Sequence, residues 1–516
     1  MKLYILLLVA FPLLAFHTMA QEPITLTPYT DATFNVSGLV PEGWNNVAPG
    51  IYARATAPTD TTLIAQQAAP IPLERMWASL LPQMRLDEVP ESSGTLETEV
   101  LSWALYDVEV TVSDITIAID VAVAEKDGTS YVVLMQTSED EHEALHEQVF
   151  LPVVNAFTPA PAAEATPEVT EEVPYIEEEI TFENGDITLA GTLTLPEGEG
   201  PHPAVILISG SGPQDRDESL EPVAQMKPFR LIADYLTRQG VAVLRYDDRG
   251  VGGSGGTFAT ASLTDFATDA EAAIAYLRTR DDINGEQVGI LGHSEGGIIA
   301  PMVAQNADAA FIITLSGTAV GGLEMLVKQN ERIYQTQNYE QDTIDDLLAK
   351  LRTLLEAITA DEPDDAVVEG ALYELILGQL QALPAAQTAG IEDFEAEART
   401  LAEQQAASYG SGQLRALLLY NPAEAWAEVT VPVLALFGGL DVQVDAEQNV
   451  APLEAALESA GNEDYTIEVF PTANHLFQDA ETGAVGEYAT LEQTFIADLL
   501  PTITDWLLAR VDVAAQ

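Results

Sequence analysis

Gly292-His293-Ser294-Glu295-Gly296 fits the pattern G-x-S-x-G and stands between the apolar run Val288–Leu291 and a second, helix-like run at Ile298–Ala304. A serine on a tight strand-to-helix turn has a strained backbone and a hydroxyl held clear of the sheet, and flanking glycines leave room for that turn. The amides that follow it point toward the place where an oxyanion would form. Ser294 is therefore the candidate nucleophile. The same pattern recurs in Gly252-Gly253-Ser254-Gly255-Gly256, but Asp247–Val251 separates it from the preceding apolar run, and Thr257 follows in place of a helix. That second match reads as a glycine loop.

A serine nucleophile needs a base, and the chain has six histidines. His293 lies inside the turn, where its side chain would point away from the serine hydroxyl. His475 is the only histidine beyond Ser294, in Phe470-Pro-Thr-Ala-Asn-His-Leu-Phe477, a loop after the strand-like Tyr465–Phe470. An imidazole there could take the serine proton and return it near neutral pH. The third member is a carboxylate that orients the imidazole. With 82 acidic residues, position must choose it. Asp441 follows Val431–Phe437 and two glycines, at the carboxyl end of a strand, whereas Asp445 suits the cap of a helix beginning near Ala446. Two amides would complete an oxyanion hole, from Glu295 and from Ser211 in the loop Ser209-Gly-Ser-Gly-Pro213, with Gly210 as the second choice in that loop. The same loop lacks G-x-x-x-x-G-K-[ST], so it does not read as a phosphate cradle.

Ile208-Ser-Gly-Ser-Gly-Pro-Gln-Asp-Arg-Asp217, Tyr246-Asp-Asp-Arg-Gly-Val-Gly-Gly-Ser254, the Ser294 turn, Phe437–Gln443 and Asn474–Gln478 together resemble the bacterial serine carboxylesterases of the α/β-hydrolase superfamily. That group borders on dienelactone hydrolases and serine aminopeptidases. The order Ser294, Asp441, His475 is the order of that superfamily. The resemblance covers residues 175–510. It implies ester hydrolysis through an acyl-enzyme, with no metal and no organic cofactor. Ser209 stands where many relatives carry a histidine that supports the loop.

The formal charge of −62, from 20 basic against 82 acidic residues, excludes unassisted binding to nucleic acid and disfavours docking on anionic lipid. A solvated acidic surface is the plainer reading. Met1-Lys2, the apolar Leu3–Phe16 and His17-Thr-Met-Ala20 read as a secretory signal with cleavage after Ala20, placing the protein outside the cell or in a periplasm with no stable membrane insertion. The chain has no cysteine, so no disulfide supports it.

These residues must be positioned by a larger framework. Residues 158–176 form a Pro/Ala/Thr/Glu linker between two folded parts. The first, 22–157, shows a strand at Gly50–Ala55, a helix at Leu73–Leu81, a hairpin of Ile115–Glu125 and Ser130–Gln136 about Asp127-Gly128, and a closing helix over 138–156. This α+β module loosely resembles small PsbP-like domains and is expected to bind or position something. Recognition by this module, with the hydrolase as passenger, is one alternative role for the protein. Its closing helix holds His142-Glu143-Ala144-Leu145-His146, a formal H-E-x-x-H with both imidazoles on one face. No third histidine lies in this part, so no metal is expected and the stretch reads as an acidic amphipathic helix.

The second part, 177–512, opens with a hairpin about Asn184-Gly185. Strands 204–208, 241–246, 287–291 and 310–315 then alternate with helices at 228–239, 262–279 and 296–305, which specifies a doubly wound, mainly parallel sheet. From about 320 to 425 the pattern is helical, with an apolar stripe from Ile344 to Ile358 behind a cap at Asp342. It is expected to sit over Ser294 as a helical cap, or to pair helices in a dimer. A small-molecule ester is the expected substrate. A serine aminopeptidase or amidase using the same triad is the second reading.

Overall fold

The alternation of pattern along the chain becomes an alternation of layers. The computed structural model describes residues 24–513 apart from 32–33, 35, 49, 55–61, 70–71, 82–83, 85, 87–88, 91, 113–114, 127, 160–172, 221–223, 384–387, 389–390, 392 and 410–411. The signal-like segment, its cleavage point and most of the linker lie outside these residues. The chain divides into two units, residues 1–171 with 383–392, and 172–382 with 393–516.

The first unit is built on antiparallel strands. They are β1 (Leu26–Asp31), β2 (Val36–Pro41), β3 (Asn45–Ala48), β4 (Ile51–Ala53) and β5 (Leu63–Ala69), then, after α1 (Leu73–Leu80), β6 (Gly94–Glu97), β7 (Ser102–Val112), β8 (Ile115–Lys126) and β9 (Thr129–Ser138). The closing helix is not uniform. It runs as α2 (Glu139–Leu145), a π-helical turn at His146–Phe150 and α3 (Leu151–Ala156). Thr158–Pro159, expected to begin the linker, form β10 against β2. The sheet order is β3-β4-β5-β9-β8-β7-β6, with a separate β1-β2-β10. The unit is thus more β-rich than an even α+β mixture. The β8–β9 hairpin forms as its turn signal predicts, with Lys126 opposite Thr129 and Gly128 at φ +77°; Asp127 itself is outside the described residues. The period of two along β8 divides the core. Ile117, Ile119, Val121 and Val123 pack with Met76, Trp77 and Leu80 of α1, whereas Ala122 and Ala124 pack with Leu145, Val149, Phe150 and Val153 of the closing helix.

The second unit opens with the hairpin β11 (Tyr175–Asn184) and β12 (Ile187–Pro196). There follow β13 (His202–Ile208), α4 (Pro228–Arg238), β14 (Ala242–Tyr246), α5 (Leu263–Arg278), β15 (Ile283–His293), α6 (Glu295–Ala307) and β16 (Ile312–Leu315). The sheet resumes after the insert with β17 (Val433–Gly438), α13 (Ala446–Ser459) and β18 (Tyr465–Phe470), and α14 (Leu499–Leu508) closes the fold. The order is β11-β12-β14-β13-β15-β16-β17-β18, parallel from β14 to β18. Helices cover both faces. Phe266 and Leu277 of α5, Ile299 and Val303 of α6 and Leu453 of α13 share one core, and Phe229 and Ile232 of α4 and Ile503 of α14 share the other. Such strands are buried on both faces and read as continuous apolar runs; β13 is buried throughout.

Between β16 and β17 the chain forms α7 (Gly322–Thr336), α8 (Gln341–Thr359), α9 (Asp365–Ala382), α10 (Phe394–Tyr409), α11 (Gly412–Leu419) and α12 (Pro422–Trp426). The stripe of α8 packs as its spacing requires: Leu351, Leu354, Leu355 and Ile358 join Val368, Leu372, Leu375 and Ile376 of α9 in a core of their own. Asp342 is not the cap of α8. The helix starts one residue earlier behind Glu340, and Asp342 lies in its first turn, where a carboxylate still favours the helix dipole. Asp445 does cap α13, accepting from the Gln448 amide at 2.9 Å.

At the centre of the sheet β15 passes directly into α6, and glycine makes that passage possible. A Cβ on Gly292 would meet Gly296 O at 2.2 Å, and one on Gly296 would meet Ile208 O at 2.1 Å. Both contacts are with backbone, which cannot turn aside. Gly296→Ala should therefore lower stability by about 2 kcal/mol or more, as forced overpacking does. Thermal unfolding of the purified variant checks this, and an unchanged melting temperature would contradict it.

Candidate active site

Ser294 is the residue between β15 and α6, with φ +52° and ψ −114°. This backbone region is costly for a residue with a side chain, and it persists only where the surroundings enforce it. Here the Ser294 amide donates to Leu315 O of β16 at 2.9 Å, and its own carbonyl accepts from Gly297 N at 2.9 Å. Glu295 is the first residue of α6, so its amide has no acceptor within the helix, and the positive end of the helix dipole lies at the same point. Ser254, the other pattern match, is absorbed by structure: its hydroxyl donates to Asp247 O at 2.7 Å and accepts from Ala190 N at 3.0 Å.

Asp441 and His475 lie on the loops that follow the neighbouring strands β17 and β18, and they meet at 2.8 Å between Oδ2 and Nδ1. Both are buried, at 1 % and 4 % exposure. The other oxygen of Asp441 accepts the Gln443 and Val444 amides at 2.7 and 2.9 Å. Burial works against the Asp441 charge, but the adjoining His475 and the Val444 amide outweigh it and hold the carboxyl below the usual carboxylate range. A fixed anion at Nδ1 sets the tautomer and orientation of the imidazole.

The loop after β13 is organised by two aspartates at the end of β14. Asp247 accepts the Arg216 amide and binds its guanidinium. Asp248 accepts the Ser209 hydroxyl at 2.9 Å and the Gln214 amide at 2.8 Å. Ser209 therefore holds the loop through its hydroxyl. Burial pushes the Asp248 carboxyl up to about 7, opposed by those two hydrogen bonds and reinforced by Glu218 and Glu295. Gly210 reaches the turn closely enough that a Cβ on it would lie 3.3 Å from Ser294 Cβ. Its amide, however, donates to Glu218 Oε1 at 2.7 Å. Gly210 is thus corrected as an oxyanion donor, because its N–H is already committed. Ser211 is exposed, and a hydrogen bond from its hydroxyl tempers the effect of burial, which raises the Glu295 carboxyl.

One pair escapes any local reading of the sequence. His293 has an acceptor at each ring nitrogen: its Nδ1 lies 2.8 Å from Glu218 Oε1 and its Nε2 lies 3.1 Å from the His475 carbonyl. The two imidazoles pack at 4.9 Å between ring centres. With an acceptor at each ring nitrogen, only the imidazolium can donate to both. Burial alone would depress the His293 pKa, yet the Glu218 carboxylate and the His475 carbonyl raise it above the ordinary value. Glu218 is 1 % exposed and sits at φ +52°. Only that strained backbone in the Asp215–Glu218 turn hints at its importance, and no spacing rule announces it.

Beside the turn lies a cavity of about 270 Å³ lined by Gly212, Phe258, Leu263, Phe266, Glu295, Leu414 and Leu417. Its walls come from the loop after β14, from α5 and from α11 of the helical insert. The insert therefore borders the Ser294 region, as a cap would.

Residues 225–369 match the family model described as serine aminopeptidase, S33, a stretch that contains Ser294 but neither Asp441 nor His475. Esterase EstD of Thermotoga maritima is 29 % identical over 311 residues, which cover 58 % of this chain and 61 % of that protein. The chain thus spans about three-fifths of that relative's length. Among solved structures, the Pyrococcus furiosus esterase Pf2001 is 15 % identical with a TM-score of 0.40, covering 66 % of this chain and 93 % of that one. Est1E of Butyrivibrio proteoclasticus with bound ferulic acid is 16 % identical with a TM-score of 0.36, covering 64 % and 98 %. The strand order and the strained serine between β15 and α6 give the second unit an α/β-hydrolase fold, and its sequence is similar to the serine aminopeptidase S33 model and to esterase EstD.

Proposed function

We propose that this protein is an exported serine hydrolase that cleaves carboxylic esters of small molecules through an acyl-enzyme. The observation that carries the reading is the buried Asp441–His475 pair at 2.8 Å, following Ser294 in chain order on adjoining strand ends. Ser294 Oγ attacks the ester carbonyl carbon while His475 Nε2 takes its proton. The Glu295 and Ser211 amides hold the oxyanion of the tetrahedral intermediate. Collapse breaks the bond to the alcohol oxygen, which leaves with the proton returned by His475. Water, deprotonated by His475, then attacks the acyl carbon and releases the acid and free Ser294. The walls of Phe258, Leu263, Phe266, Leu414 and Leu417 suit an apolar acyl or aryl group, and the cavity is at the small end for a ligand site. The name of the Thermotoga maritima relative supports an ester over an amide. Export rests on the Met1–Ala20 pattern alone.

The family model's description favours a second reading, an aminopeptidase or amidase with the same three residues. Ser294→Ala should reduce turnover of short p-nitrophenyl esters by about 10⁴-fold or more, as loss of a triad nucleophile does, while circular dichroism is unchanged. Retained turnover would sink the proposal. Matched aminoacyl-anilides should be hydrolysed far more slowly than the esters, and a preference for anilides would favour the second reading.

Glu218 and His293 act here as positioning residues, because the imidazolium grips the backbone of His475. The folded pKa of His293 is raised above its unfolded value of about 6.5. The stabilisation is then fully present below about pH 6.5 and is lost as pH rises through the folded value. Glu218→Gln removes the anion. The gap in melting temperature between wild type and Glu218→Gln should be widest near about pH 6 and should narrow as the medium becomes alkaline. Its kcat on short esters should fall about 10-fold with little change in KM, as expected for a misplaced base. A gap independent of pH would contradict this role.

A further inference from the structure

We propose that the first unit carries a binding site for a divalent transition-metal ion of the zinc type, formed by Asp120, His142 and His146. The two histidines lie four residues apart where α2 passes into the π-helical turn, on the side facing β8. The sequence offers no third histidine there, but the sheet supplies a carboxylate from 22 residues upstream of His142. Asp120 lies among the residues of β8 that face the closing helix, between Ala118 and Ala122, and is 1 % exposed. Its Oδ1 is 2.8 Å from His146 Nδ1, and its Oδ2 is 3.0 Å from His142 Nε2. The donor atoms of all three residues lie within 4.8 Å of one another.

Two features separate this cluster from an ordinary buried ion pair. Asp120 Oδ2 and His142 Nε2 are both buried and neither has a hydrogen-bond partner among the described residues, although they are only 3.0 Å apart. Their separation is short but their alignment falls outside that of a good hydrogen bond, so a cation would gain two buried donor atoms there. The second feature is Asp107. It stands directly opposite Asp120 across β7 and β8, with Oδ1 3.9 Å from His142 Nε2. Like charges at facing positions destabilise a sheet, and a cation between them removes that cost.

Two imidazole nitrogens with one carboxylate oxygen, and no thiolate anywhere in the chain, match the donor set of zinc sites with three protein ligands. Donors about 2.1 Å from such an ion stand roughly 3.4 Å apart in a tetrahedron, so a small outward shift of the side chains would admit it. Asp107 or a water molecule would fill the fourth position. Glu143, the residue a metallopeptidase of this motif would use as base, is exposed, and the proposal is for metal binding that pins the closing helix to β8, without peptidase chemistry.

The test uses the untagged full-length chain, stripped with a chelator and titrated with Zn²⁺, then separately with Co²⁺ followed by visible absorption. Wild type should take up one Zn²⁺ per chain, resist displacement by excess Ca²⁺ or Mg²⁺, gain thermal stability, and give the intense bands of four-coordinate Co²⁺. His142→Ala should weaken Zn²⁺ binding at least about 100-fold while leaving ester turnover by the second unit unchanged. Should that variant fail to fold, Asp120→Asn, of nearly equal volume, serves in its place. No uptake by wild type would overturn the proposal. Equal uptake by the variants, or ready displacement by Ca²⁺, would overturn it too, since the ions would then be held by the acidic surface.

Discussion

The second unit depends on one constraint, the abrupt passage from β15 to α6 through a serine at φ +52°. Strain of this kind costs of order 1–3 kcal/mol and survives only where neighbours over-determine it. Here they do so by touching backbone to backbone. Gly292 lies against Gly296, Gly296 against the end of β13, and Gly297 against Gly317 beyond β16. Strands β13, β15 and β16 therefore converge on the turn, and the loops after β17, β18 and β13 bring the carboxylate, the imidazole and the glycine-rich segment to the same end of the sheet. Ligands bind at that end of an open α/β sheet for the same topological reason.

Electrostatics then arranges the site in layers. Asp441 stays ionised in a buried place because two amides and one imidazole repay its lost hydration. Behind His475 a second imidazole, held by Glu218, binds the backbone and not the ring. The candidate base is thus fixed at its ring by one carboxylate and at its carbonyl by another, acting through His293. In a protein with a formal charge of −62, buried carboxylates remain tolerable only where such donors are paired with them.

Much of this was legible in the sequence because it is local. The Ser294 turn, the strand ends at Asp441 and His475, the hairpin at Asn184-Gly185 and the helical insert all announce themselves through spacing of at most a few residues. What escaped was created by tertiary contact. Glu218 meets His293 across 75 positions, and nothing in either local pattern predicts the meeting. Gly210, the second-choice donor by its place in the loop, has its amide on Glu218. In the first unit, H-E-x-x-H shows no nearby carboxylate when read along the helix; packing of that helix on β8 brings Asp120 beside it. The break of the closing helix at His146–Phe150 has a local cause instead: Pro152 follows it directly, with no N–H to give the Gln148 carbonyl and a ring that crowds it.

In the proposed mechanism Ser294, and not another of the chain's serines, is the activated nucleophile. The direct measurement is intact-mass and peptide mapping after reaction with a fluorophosphonate, which phosphonylates only a serine activated by a base. A single adduct per chain is expected on the peptide containing Ser294, formed with loss of esterase turnover. An adduct on Ser254, or no adduct while turnover persists, would contradict it.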